Sequence, residues 1–245
     1  MCGKEAYMSS KRTAIVTGAS RGIGAALVET LVNAGHNVVA TSRNVDRSLA
    51  ASSNLVPVAG DIGKKETAAK VVAAAIENFG SIDLLVTNAG IFSTKPFTEF
   101  TTEDFNALVS TNLLGFLHIT QLAVEQMLKQ RSGAVVSITA AFADQPIAGV
   151  NAAVPMITKG GLNAVIKSLA IEYAKDGIRF NAVAPGVVDT PMHEDDPKEF
   201  LRTLQPMGKM AHVNDVVNAV LYLAKADQVT GEVLHVDGGS HAGRW

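Results

Sequence analysis

The chain has 245 residues, 47% of them apolar and 18% charged, which fits one globular α/β domain and excludes a disordered or fibrous protein. Its net charge of −2 comes from interspersed acidic and basic residues, so it offers no basic face for nucleic acid and no polybasic arm for a membrane. We therefore expect its partners to be a small-molecule substrate and further copies of the chain.

The only cysteine, Cys2, cannot build a disulfide framework or a thiolate metal cluster within one chain. This predicts a reducing, cytoplasmic setting and no metal. Residues 1–12 lack the apolar core of a signal peptide and are predicted to be a disordered leader before a single domain of residues 13–245. No later apolar run is free of Gly, Pro and charge over the roughly 20 residues of a membrane span.

Short β-branched runs alternate along the chain with segments that have apolar residues at helical spacing. The predicted strands are Thr13–Thr17, Asn37–Ser42, Leu55–Ala59, Leu84–Thr87, Ala134–Thr139, Arg179–Ala184 and Val233–Val236. The predicted helices are Ala25–Ala34, Glu66–Phe79, Thr102–Lys129, Pro155–Ala174 and Val213–Ala226. This alternation predicts a doubly wound, Rossmann-type parallel sheet with helices on both faces.

The first predicted strand runs directly into a glycine-rich turn, which a helix follows. The turn reads Thr17-Gly18-Ala19-Ser20-Arg21-Gly22-Ile23-Gly24. Glycines allow a sharp turn and a close approach to a pyrophosphate, while the helix directs unpaired N–H groups and its positive dipole end at that anion. The position of the turn between strand and helix therefore predicts a dinucleotide-binding site.

This Gly-x-x-x-Gly-x-Gly spacing resembles the short-chain dehydrogenase/reductase family, and four further motifs extend the resemblance from about Thr13 to Gly239. They are Asp61-Ile62, Asn88-Ala89-Gly90, Pro185-Gly186-Val187-Val188-Asp189-Thr190-Pro191, and Thr230-Gly231 with Val236-Asp237-Gly238-Gly239. The resemblance implies that Asp61-Ile62 binds adenine and that Asn88-Ala89-Gly90 supports the sheet centre beside the cofactor. It implies that the later residues of the motif 185–191 hold the nicotinamide carboxamide and that the last motif forms the closing strand of the sheet.

The residues at the end of the second predicted strand bear on the choice between NAD and NADP. It reads Thr41-Ser42-Arg43-Asn44 and lacks the acid that binds the ribose hydroxyls of NAD and repels a 2′-phosphate. Ser42 and Arg43, with Arg21 from the glycine-rich turn, would form a phosphate cradle, because guanidinium groups bind phosphate through forked hydrogen bonds. The sequence thus predicts NADP, with Arg43 as a solvated surface charge the alternative.

The resemblance also implies a catalytic Ser, a Tyr that acts as acid or base, a Lys four residues after that Tyr, and an Asn from the preceding helix. The chain keeps Asn112 and Lys159, but Pro155 occupies the Tyr position and Ala140 the Ser position. Tyr173 lies about 21 Å beyond Lys159 on the same predicted helix at 1.5 Å rise per residue, which is too far to replace the missing Tyr. Pro155 itself is explained by the preference of proline for the first turn of a helix.

Three residues are candidates for the remaining catalytic roles. Lys159 is expected to bind the nicotinamide ribose hydroxyls; alternatively, it supplies the proton itself, if burial and the charge of NADP⁺ lower its pKa. Thr139 replaces the serine if the loop shifts by one residue, and is otherwise a structural strand residue. Asn112 either helps to hold Lys159 and relay protons, as in the family, or packs its helix.

The polar stretch from His193 to Lys198 is predicted to be a mobile loop over the site. His193 is its main candidate acid, because histidine changes charge near neutral pH. The other acidic candidates, which we expect to be solvated, are Glu194, Asp195, Asp196 and Asp144.

Two functions follow from this pattern. The first is an NADPH-dependent reductase, or the reverse dehydrogenase, which acts on a small carbonyl or alcohol with water, Lys159 or His193 as an atypical proton donor. The alternative is a catalytically silent NADP-binding protein that serves as a sensor or a partner subunit. The complete nicotinamide-facing motifs favour the enzyme.

The family resemblance further implies a dimer or a homotetramer, because the equivalents of the helices Thr102–Lys129 and Pro155–Ala174 pack between subunits in the family. Alternatively, the small residues in these helices allow close packing within one subunit. The substrate pocket is predicted along Ile91–Pro96, Ala140–Val150 and Met192–Met207. We expect it to be apolar, with Phe92, Phe142, Ile147 and Met192 as lining residues.

Overall fold

The computed structural model describes residues 11–45 and 49–243, so Cys2 and most of the predicted leader lie outside the described residues. One parallel sheet of seven strands has the order β3-β2-β1-β4-β5-β6-β7, which confirms the predicted doubly wound fold. The strands are β1 Thr13–Thr17, β2 Asn37–Ser42, β3 Leu55–Ala59, β4 Leu84–Thr87, β5 Gly133–Ile138, β6 Ile178–Pro185 and β7 Val233–Val236.

Helices cover both faces of this sheet, and adjacent strand residues serve opposite faces. Val16 packs in the core that α1 and α7 cover, whereas Ile15 packs in the core under α2, α4 and α5. The helices are α1 Gly22–Asn33, α2 Lys65–Phe79, α3 Thr102–Leu108, α4 Gly115–Gln130, α5 Ala153–Tyr173, α6 Lys198–Thr203 and α7 Val213–Lys225.

The long helix predicted before β5 is interrupted, so the prediction of one regular helix is wrong at its centre. A capping box between Thr101 and Asp104 starts α3, and a π-helical segment, Val109–Leu114, joins α3 to α4. Apolar spacing does not reveal an inserted π turn, because such a turn shifts the helix register without changing residue type. These turns occur often at functional sites, and this one carries Asn112.

The helical stretch Thr102–Gln130 is long and apolar enough to cross a membrane by length and composition. However, 44% of its most apolar window is buried inside the protein. Ile119 and Met127 lie fully within the core under α2 and α5. We therefore assign it as a core helix of this domain.

The chain after β6 is more structured than the sequence predicted. A short 3₁₀ turn, Pro191–His193, comes first, and α6 begins at Lys198, the last residue of the predicted loop. Val187 with Leu201 and Leu204 forms a small separate core, against which Ile147 packs. Ile147 is thus part of this core rather than of the predicted pocket lining.

Candidate active site

A cavity of about 610 Å³ opens at the carboxyl ends of strands β1 to β6. Most of the predicted site residues line it. These are Gly18, Ser20, Arg21, Gly22, Ile23, Ser42, Arg43, Asp61, Ile62, Asn88, Ala89, Gly90, Thr139, Lys159, Pro185, Gly186, Val188 and Thr190. Such crevices outside strand carboxyl ends are where ligands bind in open α/β sheets.

The glycine-rich turn is held closely against the end of β4. Gly18 has φ +68°, and a Cβ on Gly24 would lie 2.2 Å from the Gly18 carbonyl oxygen. The Asn88 side-chain amide donates to the Thr17 and Gly18 carbonyls at 2.9 and 3.1 Å, while the Thr17 hydroxyl accepts from the Asn88 and Ala89 N–H groups at 3.0 Å. Gly24 therefore shapes the turn from behind and does not line the cavity.

Helix α1 begins at Gly22, directly below this turn. Arg21 precedes it in extended conformation, and no side chain caps the first turn. The first N–H groups of a helix have no partner within the helix and favour an anion. The turn and the helix start together therefore fit a pyrophosphate, as the sequence predicted.

One end of the cavity lies at the carboxyl ends of β2 and β3. Arg43 and Arg21 are exposed at its rim, and within the described part of the chain no carboxylate lies at ion-pair distance from either guanidinium. The Ser42 hydroxyl donates to the Asn44 carbonyl. Thr41, which the sequence prediction did not include, also lines the cavity, and its buried hydroxyl has no hydrogen-bond partner among the residues described.

Lys159 occupies the opposite end of the cavity. Its side chain is buried on α5, and its Nζ donates to the Ile138 carbonyl at 2.8 Å. Burial lowers the pKa of Lys159 from 10.5 to about 8, because the charged form loses its hydration. A Cβ on Gly90 would lie 3.1 Å from this Nζ, so glycine leaves room for the ammonium group beside the end of β4.

Asn112 lies behind Lys159 and does not line the cavity. Its side-chain oxygen accepts from the Ile91 N–H at 2.9 Å, and its amide donates to the Ile91 carbonyl at 3.1 Å and to the Thr158 hydroxyl at 2.9 Å. The Thr158 hydroxyl in turn donates to the Pro155 carbonyl at 2.8 Å. The Asn112 side chain thus ties the loop after β4 to Thr158 of α5.

Pro155 and Ala140, which the resemblance places at the Tyr and Ser positions of the family, carry no hydroxyl. Helix α5 begins at Ala153, so Pro155 lies in its first turn as predicted. Ala140 lines the cavity, and Thr139 beside it directs its hydroxyl to the Val183 carbonyl at 3.3 Å. Tyr173 is the last residue of α5 and packs on Phe180, with ring centroids 5.8 Å apart.

The end of the cavity beside Phe92 and Phe142 is apolar, with His193 at its rim. Phe92 and Phe142 stack with ring centroids 6.4 Å apart, and Met192 lies beside them on the wall. His193 follows on the same wall, with its Nδ1 2.7 Å from an oxygen of Asp196. The sequence indicated His193, but it did not reveal that Asp196 orients the imidazole.

Comparison with known proteins places the chain in a family. The family model described as enoyl-(acyl carrier protein) reductase matches residues 18–241. The 3-oxoacyl-[acyl-carrier-protein] reductase FabG of Staphylococcus aureus is 32% identical over 96% of this chain and 100% of its own length. The chain belongs to the short-chain dehydrogenase/reductase family. A chloroplastic tropinone reductase homolog of Arabidopsis thaliana is 34% identical over 96% of this short-chain dehydrogenase/reductase and 77% of its own length.

Solved structures of short-chain dehydrogenases/reductases show the same fold. ElxO with NADP bound superposes with a TM-score of 0.89 at 27% identity, covering 96% of this chain and 100% of ElxO. The 3-ketoacyl-(acyl-carrier-protein) reductase of Brucella melitensis complexed with NADH gives 0.87 at 29% identity, covering 94% and 98%. The chain is therefore an oxidoreductase of this family.

The cavity also contains residues that the sequence motifs did not indicate. Each of them adjoins a predicted residue at a strand end or on the π-helical segment, so extending each motif by one position would have found them. They are Thr41, Asn44, Gly60, Thr111 and Ile138.

Proposed function

We propose that the chain is an NADP(H)-dependent reductase of a small carbonyl compound, or the dehydrogenase of the matching alcohol, with a proton donor other than tyrosine. The observation that carries this proposal is that one cavity joins the dinucleotide cradle to the buried Lys159. Bound there, NADPH would supply a hydride from its nicotinamide. The residues of the cradle fit that group, since Gly18 and Gly24 allow the turn to pack closely against the end of β4 and leave the first N–H groups of α1 uncapped toward the cavity.

Lys159 serves in this proposal as the residue that binds the nicotinamide ribose. Its Nζ donates one hydrogen bond to the Ile138 carbonyl, and its two other protons are available to ribose hydroxyls. The loop Pro185–Thr190 would hold the carboxamide. The apolar wall that includes Phe92, Phe142 and Met192 supports a substrate with an apolar substituent next to its carbonyl group.

The preference for NADP rests on charge. The relatives do not decide it, because ElxO was solved with NADP and the Brucella reductase with NADH. In this chain the end of β2 has no acidic residue of the kind that favours NAD. Arg21 and Arg43 lie at the rim of the cavity. Their guanidinium groups would bind a 2′-phosphate, and Thr41 beneath them has a hydroxyl without a partner among the described residues.

Arg43→Ala tests this preference. We expect it to weaken NADPH binding by about 10-fold to 100-fold, because one charge-assisted contact to phosphate contributes roughly 1.5–3 kcal/mol. NADH binding should change less than threefold, and Lys175→Ala, which removes an exposed charge just before β6, should change neither. Fluorescence titration of both nucleotides measures this, and an equal loss for the two nucleotides would contradict a 2′-phosphate contact.

The activity itself is tested with NADPH and a panel of aldehydes, ketones, quinones and β-ketoesters, followed by nicotinamide absorbance. Turnover of any member supports the reductase. Tight NADPH binding without turnover across the panel favours the silent binding protein, whose supporting observation is the absence of a hydroxyl at Pro155 and Ala140. Failure to bind either nucleotide would overturn the cofactor assignment.

The chain is also proposed to form a homo-oligomer through the outer face of α5. Exposed apolar and small residues recur there at helical spacing, and Ile171 is 82% exposed. The stripe consists of Ile157, Gly161, Ala164, Ser168 and Ile171. An exposed apolar stripe of this kind is typical of a surface that another protein covers.

Ile171→Asp is expected to convert the oligomer to monomers, because it places a charge at the most exposed apolar position of the stripe. Light scattering coupled to size exclusion reports the mass. The circular dichroism of the variant should stay unchanged, since the side chain is exposed in one subunit. A wild-type monomer, or an unchanged oligomer in the variant, would exclude this face.

A further inference from the structure

The wall of the cavity holds few groups that can exchange a proton with a substrate. Arg21, Arg43 and Asp61 belong to the adenosine end, because they lie just before α1, just after β2 and just after β3. At the substrate end, the titratable side chains among the described lining residues are Lys159 and His193. Lys159 is buried and donates to a backbone carbonyl, whereas His193 is half-buried and lies on the same cavity wall as Met192.

The segment that carries His193 is fixed at both ends. At its start, a Cβ on Gly22 would lie 3.5 Å from Thr190, which puts the segment against the glycine-rich turn. At its end, Lys198 donates from Nζ to the His193 carbonyl at 2.8 Å and lies 3.3 Å from an Asp189 oxygen. These contacts hold the 3₁₀ turn over the mouth of the cavity.

The imidazole itself is oriented by a carboxylate. Its Nδ1 lies 2.7 Å from an oxygen of Asp196, and the His193 side chain is 19% exposed against 49% for Asp196. When Nδ1–H donates to this carboxylate, Nε2 is the nitrogen left for a ligand. A base oriented by a third group in this way is the arrangement found where histidine transfers protons.

We propose that His193, oriented by Asp196, is the proton donor that replaces the tyrosine of the family. The proposal rests on the proposed reductase function. In the reductive step the substrate carbonyl carbon accepts the hydride, and the electron pair of the C=O π bond moves to oxygen. That oxygen takes the proton from Nε2 of the imidazolium, which yields the alcohol and a neutral imidazole that regains its proton from water. Nδ1–H stays on Asp196 throughout.

The carboxylates near His193 are those of Asp196, Glu194, Asp195 and Asp189, and the cations that line the same cavity or the same segment are Lys198, Arg21 and Lys159. Because the donor must be protonated, kcat/KM for reduction should fall as pH rises through neutrality, and the rate of alcohol oxidation should rise.

His193→Gln and Asp196→Asn test the proposal, with Glu194→Gln as the matched control because it removes one exposed charge from the same segment. We expect His193→Gln to lower kcat/KM for reduction about 100-fold, which is within the range for loss of a general acid. The fall of kcat/KM near neutral pH, which is the neutral limb of the pH profile, should also disappear. Asp196→Asn should lower kcat/KM about tenfold, because the imidazole loses the group that orients it. NADPH affinity should stay within threefold in all three variants.

A second readout does not depend on activity. The ¹⁵N shifts of the His193 ring in the cofactor-free protein should report the Nδ1–H tautomer in the wild type and loss of that preference in Asp196→Asn. If the wild type turns over and His193→Gln keeps its rate and pH limb, the donor assignment fails while the reductase stands. If no substrate of the panel is reduced and the ring shows no tautomer preference, both proposals fail. A limb that survives His193→Gln and disappears in Lys159→Met would assign the proton to Lys159 instead.

Discussion

Gly24→Val is expected to abolish nicotinamide nucleotide binding and to destabilise the domain. A Cβ at this position would lie 2.2 Å from the Gly18 carbonyl oxygen and 2.6 Å from the Asn88 side-chain nitrogen. The first contact is with backbone, so a side-chain rotation cannot relieve it. The turn must open, and α1 must move away from the end of β4.

The free energy of unfolding should fall by roughly 3 kcal/mol, as for overpacking of a tight interior site. The affinity for NADPH should fall at least 100-fold, because the N–H groups of the turn and the helix start no longer converge on one anion. Urea unfolding and fluorescence titration measure the two effects separately.

Gly160→Ala is the matched control for this substitution. Gly160 lies within α5, and a Cβ there would make only an ordinary contact, 3.9 Å from the Ala143 side chain. Alanine in a helix is favoured over glycine by about 0.5–1 kcal/mol, so this variant should be slightly more stable than the wild type and bind NADPH normally. Normal NADPH binding by a folded Gly24→Val variant would show that the turn is not the pyrophosphate site.

The sheet and the cofactor cradle could be predicted from the sequence because each depends on local pattern. Buried parallel strands are continuous β-branched runs, such as Thr13–Thr17, and their carboxyl ends necessarily meet at one edge. The glycine-rich turn is constrained by backbone geometry that few other residues can adopt. Gly18, with its φ of +68°, is one such position.

The catalytic end of the site could be predicted only in part. The sequence located Lys159 and His193, but not their partners. The Ile138 carbonyl on β5 reaches the lysine only through tertiary structure, and Asp196 reaches the histidine through the turn that follows Pro191–His193. The π-helical segment that carries Asn112 was missed as well. A π turn is stabilised by what the helix packs against, and apolar periodicity does not record that.

Lys159→Met should stabilise the nucleotide-free protein at pH 7, and this gain should disappear as the pH approaches 10.5. The pKa of Lys159 falls from 10.5 to about 8 on folding through burial alone. Below pH 8 the folded protein carries a proton that it holds less tightly than the unfolded chain does, so the full penalty of about 3 kcal/mol applies there. Between about pH 8 and 10.5 the unfolded chain binds more protons, and wild-type stability rises with pH toward that of the variant.

Methionine removes the charge but also leaves the Ile138 carbonyl without its donor, a loss of about 1 kcal/mol. The net gain at pH 7 should therefore be about 2 kcal/mol, measured by urea unfolding of both proteins between pH 7 and pH 10. Lys175→Met, at an exposed position, should show no such pH-dependent difference, and a constant difference for Lys159→Met would contradict the lowered pKa.

Lys159→Met should also weaken NADPH binding at least tenfold, since it removes the donors that we propose for the ribose. A buried ammonium that destabilises the free domain and strengthens nucleotide binding would mark Lys159 as a residue kept for the ligand rather than for the fold.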